Sequence, residues 1–337
     1  MPYKNRILPI FLVSVAFAAA LLLYHLHPPG DLGGPAEVHV RLIVSRDFGS
    51  TVILDESITL EKGATALDAL RAVSEVETMY GGRFVASING FRRGEIDGLK
   101  VDWLYYVNGL LAPVGAADYI LHDGDVERWD LHPWASLVMA SAIIGDFPEP
   151  FLNGYGGSKY PTLILYSEDF KGEAENLEEQ LISLGVEADL KPMDEATPDD
   201  LGGFNLIIIG YFTDSLPSRL NEIHERLGYY AYHDGGVVYA VDWRGGLHGF
   251  SGDLAVIQAS KNPWSPGGTS TTGRTAWLIA GSTPRSVRSA VEALIEDKTA
   301  NLHGLLIVDG EYRPLPLSPG GGSSPRSMDG YRDPSAS

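Results

Sequence analysis

The side chains best suited to recognising a partner lie in one short stretch. Trp103-Leu-Tyr-Tyr-Val-Asn-Gly109 sets two adjacent tyrosines and an amide beside a tight turn, and Tyr119 follows closely. Aromatic faces stack on flat molecules, and an amide both donates and accepts. Tyr105, Tyr106, Asn108 and Tyr119 are therefore the candidate binding residues, for a flat metabolite or a docked protein strand. The same stretch also has an architectural use. Asn108-Gly109 supplies the two positive φ angles of a two-residue hairpin, and Trp103 and Trp129 can fill a small core.

Groups for covalent or metal chemistry are poorly arranged. Gly268-Thr-Ser-Thr-Thr-Gly-Arg-Thr275 imitates a phosphate loop with Arg for Lys. A phosphate loop needs a strand before it and a helix after it. Here Asn262-Pro-Trp-Ser-Pro266 precedes and an apolar strand follows, so no nucleotide is expected. His224, His233 and His248, with Asp234 and Asp242, follow no ligand spacing, and no metal is expected. Gly249-Phe-Ser-Gly252 is one residue short of a nucleophile elbow. The reading is non-catalytic.

Composition narrows the partners. The chain has 337 residues, 44 of them acidic and 25 basic, for a formal charge of −19. Nucleic acid needs a clustered basic face and is excluded as a partner. Cysteine is absent, so there are no disulfides, thiolate metal sites or cysteine nucleophiles. A hydrophobic content of 44% is enough for true cores.

The elements that must position these residues follow in order. Lys4 and Arg6 precede Ile7–Leu26, an apolar run free of Asp, Glu, Lys and Arg. Its length predicts a transmembrane helix with a cytoplasmic N-terminus and the bulk of the chain extracytoplasmic. A signal peptide cleaved near Ala16-Phe-Ala18 is the rival reading, but the apolar run continues past that site through Leu23. Residues 1–26 are thus tip and anchor, and 27–35 a Pro/Gly linker. Residues 36–131 read as strand, strand, helix and several strands, a β-grasp-like order. Within it Val38, Val40, Leu42 and Val44 alternate as one buried face. Thr65 can cap a helix over Ala66–Val76, Asn89-Gly90 is a turn, and Tyr119–Leu121 and Val126–Trp129 are strands. Residues 132–159 form a bridge, with a short helix among Leu137–Ala142. Its Phe147, Phe151 and Tyr155 predict packing between two domains. Residues 160–316 alternate apolar strands with helices and predict a layered α/β domain with a mostly parallel sheet. Residues 317–337, rich in Gly, Ser and Pro, predict a disordered tail. The expected fold class is α+β and α/β behind an N-terminal transmembrane helix.

Several of these marks occur together in a known family. They are Gly63-Ala-Thr-Ala-Leu-Asp-Ala-Leu70, Ser87-Ile-Asn-Gly90, Gly98, Trp103-x-Tyr-Tyr-Val-Asn-Gly109, Gly124-Asp125 and Trp129. In this set residues 38–131 resemble the C-terminal β-domain of transcobalamin and intrinsic factor, a form of which many prokaryotic surface proteins carry. In vertebrate members this domain closes over one face of cobalamin while a helical barrel covers the other. No barrel segment is evident here. The resemblance implies an extracytoplasmic ligand-binding or adaptor module, with cobalamin or another flat metabolite as ligand.

A fainter likeness covers residues 160–316. Phe204-Asn-Leu-Ile-Ile-Ile-Gly210, Lys261-Asn-Pro263, Trp277-Leu-Ile-Ala-Gly281 and the helix through Val287 resemble an α/β module of archaeal S-layer-type surface proteins. The chain departs from it at Gly210-Tyr-Phe212, where the module has Gly-Gly-Pro. This likeness implies envelope proteins as partners. The whole sequence thus predicts a membrane-anchored, non-catalytic binding or adaptor protein at the cell surface. The alternative is a structural, S-layer-associated component of the envelope.

Overall fold

The computed structural model describes residues 36–82, 84–134, 139–270 and 272–319. From Val38 onward these residues form one compact unit.

The first sheet is built from β1 (Glu37–Arg46), β2 (Thr51–Glu61) and, after the helix α1 (Ala66–Val73), from later strands. A small side sheet contains β3 (Val76–Met79), β4 (Phe84–Ile88) and β5 (Phe91–Arg92). The main sheet resumes with β6 (Gly94–Ile96), β7 (Leu99–Val107), β8 (Leu110–Leu111) and β9 (Val126–Pro133). Its order is β2-β1-β9-β7-β6, with β8 pairing onto β7. β1 and β9 run parallel at the centre, and β7 runs antiparallel to β9 with Tyr105 opposite Trp129. Thr65 caps α1 reciprocally with Asp68, a feature that contributes about 1 kcal/mol. Leu67 and Leu70 of α1 pack on Val40, Leu42, Val44, Trp103, Tyr105 and Trp129. One helix crossing a sheet with a parallel central pair is a β-grasp arrangement.

Alternation along β9 decides what each side chain meets. Trp129 and Leu131 join the core under α1. Arg128, Asp130 and His132 point to the opposite face, yet all three are buried, because that face is covered by the second half of the molecule.

That half begins with β10 (Thr162–Tyr166), α2 (Lys171–Ser183), β11 (Ala188–Pro192), α3 (Pro198–Gly203) and β12 (Asn205–Tyr211). An excursion follows through α4 (Ser215–Glu222), α5 (His224–Leu227) and a three-stranded sheet of β13 (Ala231–Asp234), β14 (Val237–Val241) and β15 (Leu247–Phe250). The chain returns as β16 (Leu254–Lys261), β17 (Thr275–Gly281), α6 (Pro284–Ile295), β18 (Gly304–Val308) and β19 (Glu311–Leu315). The seven-stranded order is β11-β10-β12-β17-β16-β18-β19. Leu177 and Leu181 of α2 and Val287 and Leu294 of α6 cover one face of it. Leu201 of α3 and Leu216 and Leu220 of α4 cover the other.

Several expectations need correction. The expected fold class does not hold: strands make up 42% and helices 22% of the structure, so the chain is mainly β. The expected transmembrane helix at Ile7–Leu26 lies outside the described residues. Among the described residues no helix is long and apolar enough to cross a membrane. The large sheet is mixed rather than mostly parallel. β11, β10, β12 and β17 are parallel, whereas β16, β18 and β19 pair antiparallel. The cause is connection length. β16 and β17 are joined by a loop with no crossover helix and pair directly, and β18 returns as β19 through the two-residue turn Asp309-Gly310, which can only be antiparallel. Tyr119–Leu121 is not a strand. Tyr119 carbonyl accepts from Ala66 N and Leu121 N donates to Ala64 carbonyl, so this segment is tied to the start of α1. The bridge helix expected among Leu137–Ala142 falls partly on residues 135–138, outside the described residues, as does the tail from 320 onward.

Candidate functional site

The structure places all four predicted binding residues inside the fold. Tyr105 stacks on Trp129 with ring centroids 4.8 Å apart, and its hydroxyl donates to the Val114 carbonyl. Tyr106 faces the other way, is fully buried, and meets the His303 ring edge-on at 5.6 Å. Asn108 holds φ +50° at the hairpin turn. Its Nδ2 donates to Asp125 Oδ1 and to the Gly154 carbonyl, both at 2.8 Å, and its Oδ1 accepts from Val126 N at 2.7 Å. The Tyr119 hydroxyl accepts from Gly156 N, and its ring lies 5.7 Å from that of Tyr155. Tyr105 and Tyr119 belong to the core under α1, while Tyr106 and Asn108 lie on the opposite side of β7. The four do not converge on one surface. Burial drives the hydroxyl pKa of each of these three tyrosines upward, so all stay neutral.

Phe147 and Phe151 pack on Trp277 of the second sheet, while Tyr155 packs on Tyr119 of the first. Asn153 Nδ2 donates to the Gly124 carbonyl. Glu149 is buried, accepts from Asn153 N, and has its carboxyl pushed up to about 7, chiefly by desolvation.

Between the two sheets lies a buried polar seam. Arg128 Nη2 and Nε both reach Asp146 Oδ1, at 2.6 and 2.8 Å, and Nη2 also donates to Asn301 Oδ1 at 3.0 Å. Next to this pair, Asp130 accepts from Ser45 Oγ, Phe48 N and Gly49 N. Its Oδ1 also lies 2.7 Å from His132 Nδ1. These donors outweigh burial and hold the Asp130 carboxyl below its ordinary range. His303, from the turn before β18, stands edge-on to the His132 ring with centroids 5.2 Å apart. Burial depresses its pKa to about 3, so its imidazole is neutral.

A second concave feature opens in the large sheet. β10 lies between β11 and β12, so the crossover from β10 leaves toward α2 on one face and that from β12 toward α4 on the other. In open α/β sheets the crevice beyond such diverging strand ends is where ligands bind. Here it is a crevice of about 380 Å³ lined by Ser167, Asp169, Met193, Glu195, Tyr211 and Asp214, among others. Asp214 ties it together by accepting from the Ser167 hydroxyl and from Tyr211 N, and Tyr211 hydroxyl donates to Asp169 at 2.8 Å. Gly210 permits this pairing: a Cβ there would come within 2.7 Å of both Asp214 Oδ2 and Ser167 Oγ and push them out of place.

The other sequence candidates remain apart. His224 stacks on Tyr232, His233 stacks on Phe212, and His248 pairs with Asp242 at 2.7 Å. The phosphate-loop imitation joins two antiparallel strands, with Arg274 donating to the Gly203 carbonyl and lying over the Tyr160 ring. The crevice residues leave no joint signature in the sequence because they sit on three separate loops. The run of apolar strand, Gly210 and Tyr211 was the one local sign of it.

Comparison with known proteins covers the first sheet. A family described as Domain of unknown function (DUF4430) matches residues 63–133. No curated protein matches the chain. Among solved structures, haptocorrin in complex with Cbi is similar at 15% identity and TM-score 0.26, over 32% of this chain and 28% of that one. A candidate metal-binding protein from Ruminococcus gnavus ATCC 29149 is similar at 16% identity and TM-score 0.22, over 29% of this chain and 98% of that one. The chain thus spans under a third of the haptocorrin's length.

Proposed function

We propose that this is a non-catalytic, small-ligand-binding protein whose binding site is the crevice at the ends of β10, β11 and β12. The observation that carries this reading is the crevice's position where the crossovers diverge, with Gly210 admitting the Ser167–Asp214 pair that lines it. A corrinoid or other flat metabolite stacked on Tyr105, Tyr106 and Tyr119 fits less well, since these rings are already packed within the fold. The crevice offers carboxylate acceptors from Asp169, Glu195 and Asp214 and the hydroxyl of Ser167. A small molecule bearing several hydroxyl or amine donors is complementary to that lining.

The test is thermal stabilisation by polyols, sugars, polyamines and corrinoids, on the wild type and on Gly210→Ala. A ligand at about 100 times its Kd adds about 2.7 kcal/mol, a rise of several degrees for a unit of this size. A polyol, sugar or amine should give that rise in the wild type and not in Gly210→Ala. No rise across the panel, or one that Gly210→Ala leaves intact, overturns the crevice. A second reading, a component acting through protein contacts, is favoured by the inward packing of Tyr105, Tyr106 and Tyr119. It predicts stable co-purification with other proteins and no response to the panel.

A further inference from the structure

The hydrogen bonds of the polar seam leave several of its groups incomplete, among them Arg128 Nη1, Asp146 Oδ2 and, most completely, the His303 ring. His303 is fully enclosed, yet neither ring nitrogen has a hydrogen-bond partner among the described residues. An imidazole ring carries two polar nitrogens, and leaving them unpaired in a dry interior is costly. The walls around His303 do nothing to relieve this. Phe48, Tyr106 and Tyr230 present rings to it. The charged and titratable groups that face it are His132, Asp130 and the Arg128 guanidinium, and one ligand-type atom from each of Asp130, His132 and His303 lies within 4.8 Å of the others.

We infer that Asp130, His132 and His303 form a divalent transition-metal site buried between the two sheets. Two imidazoles and one carboxylate form a borderline donor set of the kind that binds Zn²⁺ and its neighbours rather than Ca²⁺ or Mg²⁺. The ion displaces the proton that His132 Nδ1 and Asp130 Oδ1 share across 2.7 Å, the two atoms moving apart to admit bonds of about 2 Å, and a nitrogen of His303 supplies the third ligand. The displaced proton leaves to solvent, as metal binding to a protonated donor requires. The remaining partners of Asp130 are already in place, since Ser45 Oγ, Phe48 N and Gly49 N fix its orientation. The ligands come from both halves of the molecule, two from β9 and one from the turn before β18, so the ion pins the first sheet to the second. This inference is independent of the crevice.

The experiment uses the full chain, stripped with EDTA and titrated with Co²⁺ and Zn²⁺. Bound metal is counted per chain, and cobalt binding is followed by visible d–d absorption. The expected result is one tightly held equivalent, a cobalt spectrum of low-symmetry nitrogen and oxygen ligation, and a higher melting temperature with metal than with EDTA. His303→Gln should weaken binding tenfold or more, whereas His248→Gln, outside the seam, should leave it unchanged. Metal bound equally well by His303→Gln overturns the inference, as does a wild type that binds no metal and melts at the same temperature with and without EDTA. The wild-type measurements stand on their own should His303→Gln fail to fold.

Discussion

Glu149 is the residue through which pH should act most directly on this protein. Its carboxyl ordinarily titrates near 4.5 and is pushed up to about 7 in the fold, first by desolvation and only then opposed by the bonds from Asn153. Between these values the folded protein holds a proton that the unfolded chain has released. The stabilisation is therefore complete below pH 4.5 and is lost as pH rises through about 7. A shift of that size corresponds to roughly 3 kcal/mol. Glu149→Gln keeps an acceptor for Asn153 N and removes the ionisation. In the presence of EDTA, its urea stability relative to wild type should climb from pH 4.5 to 7 and level off above that. Parallel curves for the two proteins across this range would show that Glu149 does not titrate as its burial implies.

Individual elements explain both what the sequence disclosed and what it withheld. The capping pair Thr65 and Asp68, the alternating face of β1 and the Asn89-Gly90 and Asn108-Gly109 turns are local chemistry, and each is legible from residue types alone. Both turns hold positive φ at Asn and at Gly. The two faces of β9 are different. A strand buried on one side should alternate, yet Glu127 through Pro133 is buried throughout. The charges of Arg128 and Asp130 conceal this, because they read as solvent-facing until the bridge supplies Asp146 and the end of β1 with its following turn supplies Ser45 and the Phe48 and Gly49 amides. The tyrosines were misleading for a related reason, since an aromatic run looks the same whether it is an exposed platform or a core shared by two layers. The close approach behind the seam is equally invisible in sequence. A Cβ on Gly145 would fall 2.5 Å from the Asn301 carbonyl carbon, and Asn301 N donates to the Gly145 carbonyl at 3.0 Å. Gly145→Ala should thus force these backbones apart and destabilise the fold by about 2 kcal/mol or more, within the range of overpacked sites. Gly172→Ala, where a Cβ meets nothing, is the control, and equal stabilities for the two variants would mean that the seam yields without cost.

At the scale of the molecule, two sheets with separate cores behave as one unit only if the layer between them is costly to open. A chain of this length would ordinarily be expected to unfold in parts. Opposing that, Arg128 and Asp146 are both excluded from solvent, and separating the halves would leave each charge to find water or a new partner. Asn108 also bonds to Gly154 of the bridge, whose Phe151 is packed on Trp277. The first sheet, the bridge and the second sheet are thereby joined in series. Calorimetry of the wild-type chain should therefore show a single transition for the region from Val38 onward, with van't Hoff and calorimetric enthalpies in agreement. Asp146→Ala strands the Arg128 guanidinium in the interior, a loss of roughly 3–5 kcal/mol for a buried pair broken on one side. Its penalty falls on the seam rather than on either core. The variant should accordingly melt in two steps, with the calorimetric enthalpy exceeding the van't Hoff value. Two steps already present in the wild type would mean that the cores are held together too weakly for the seam to couple them.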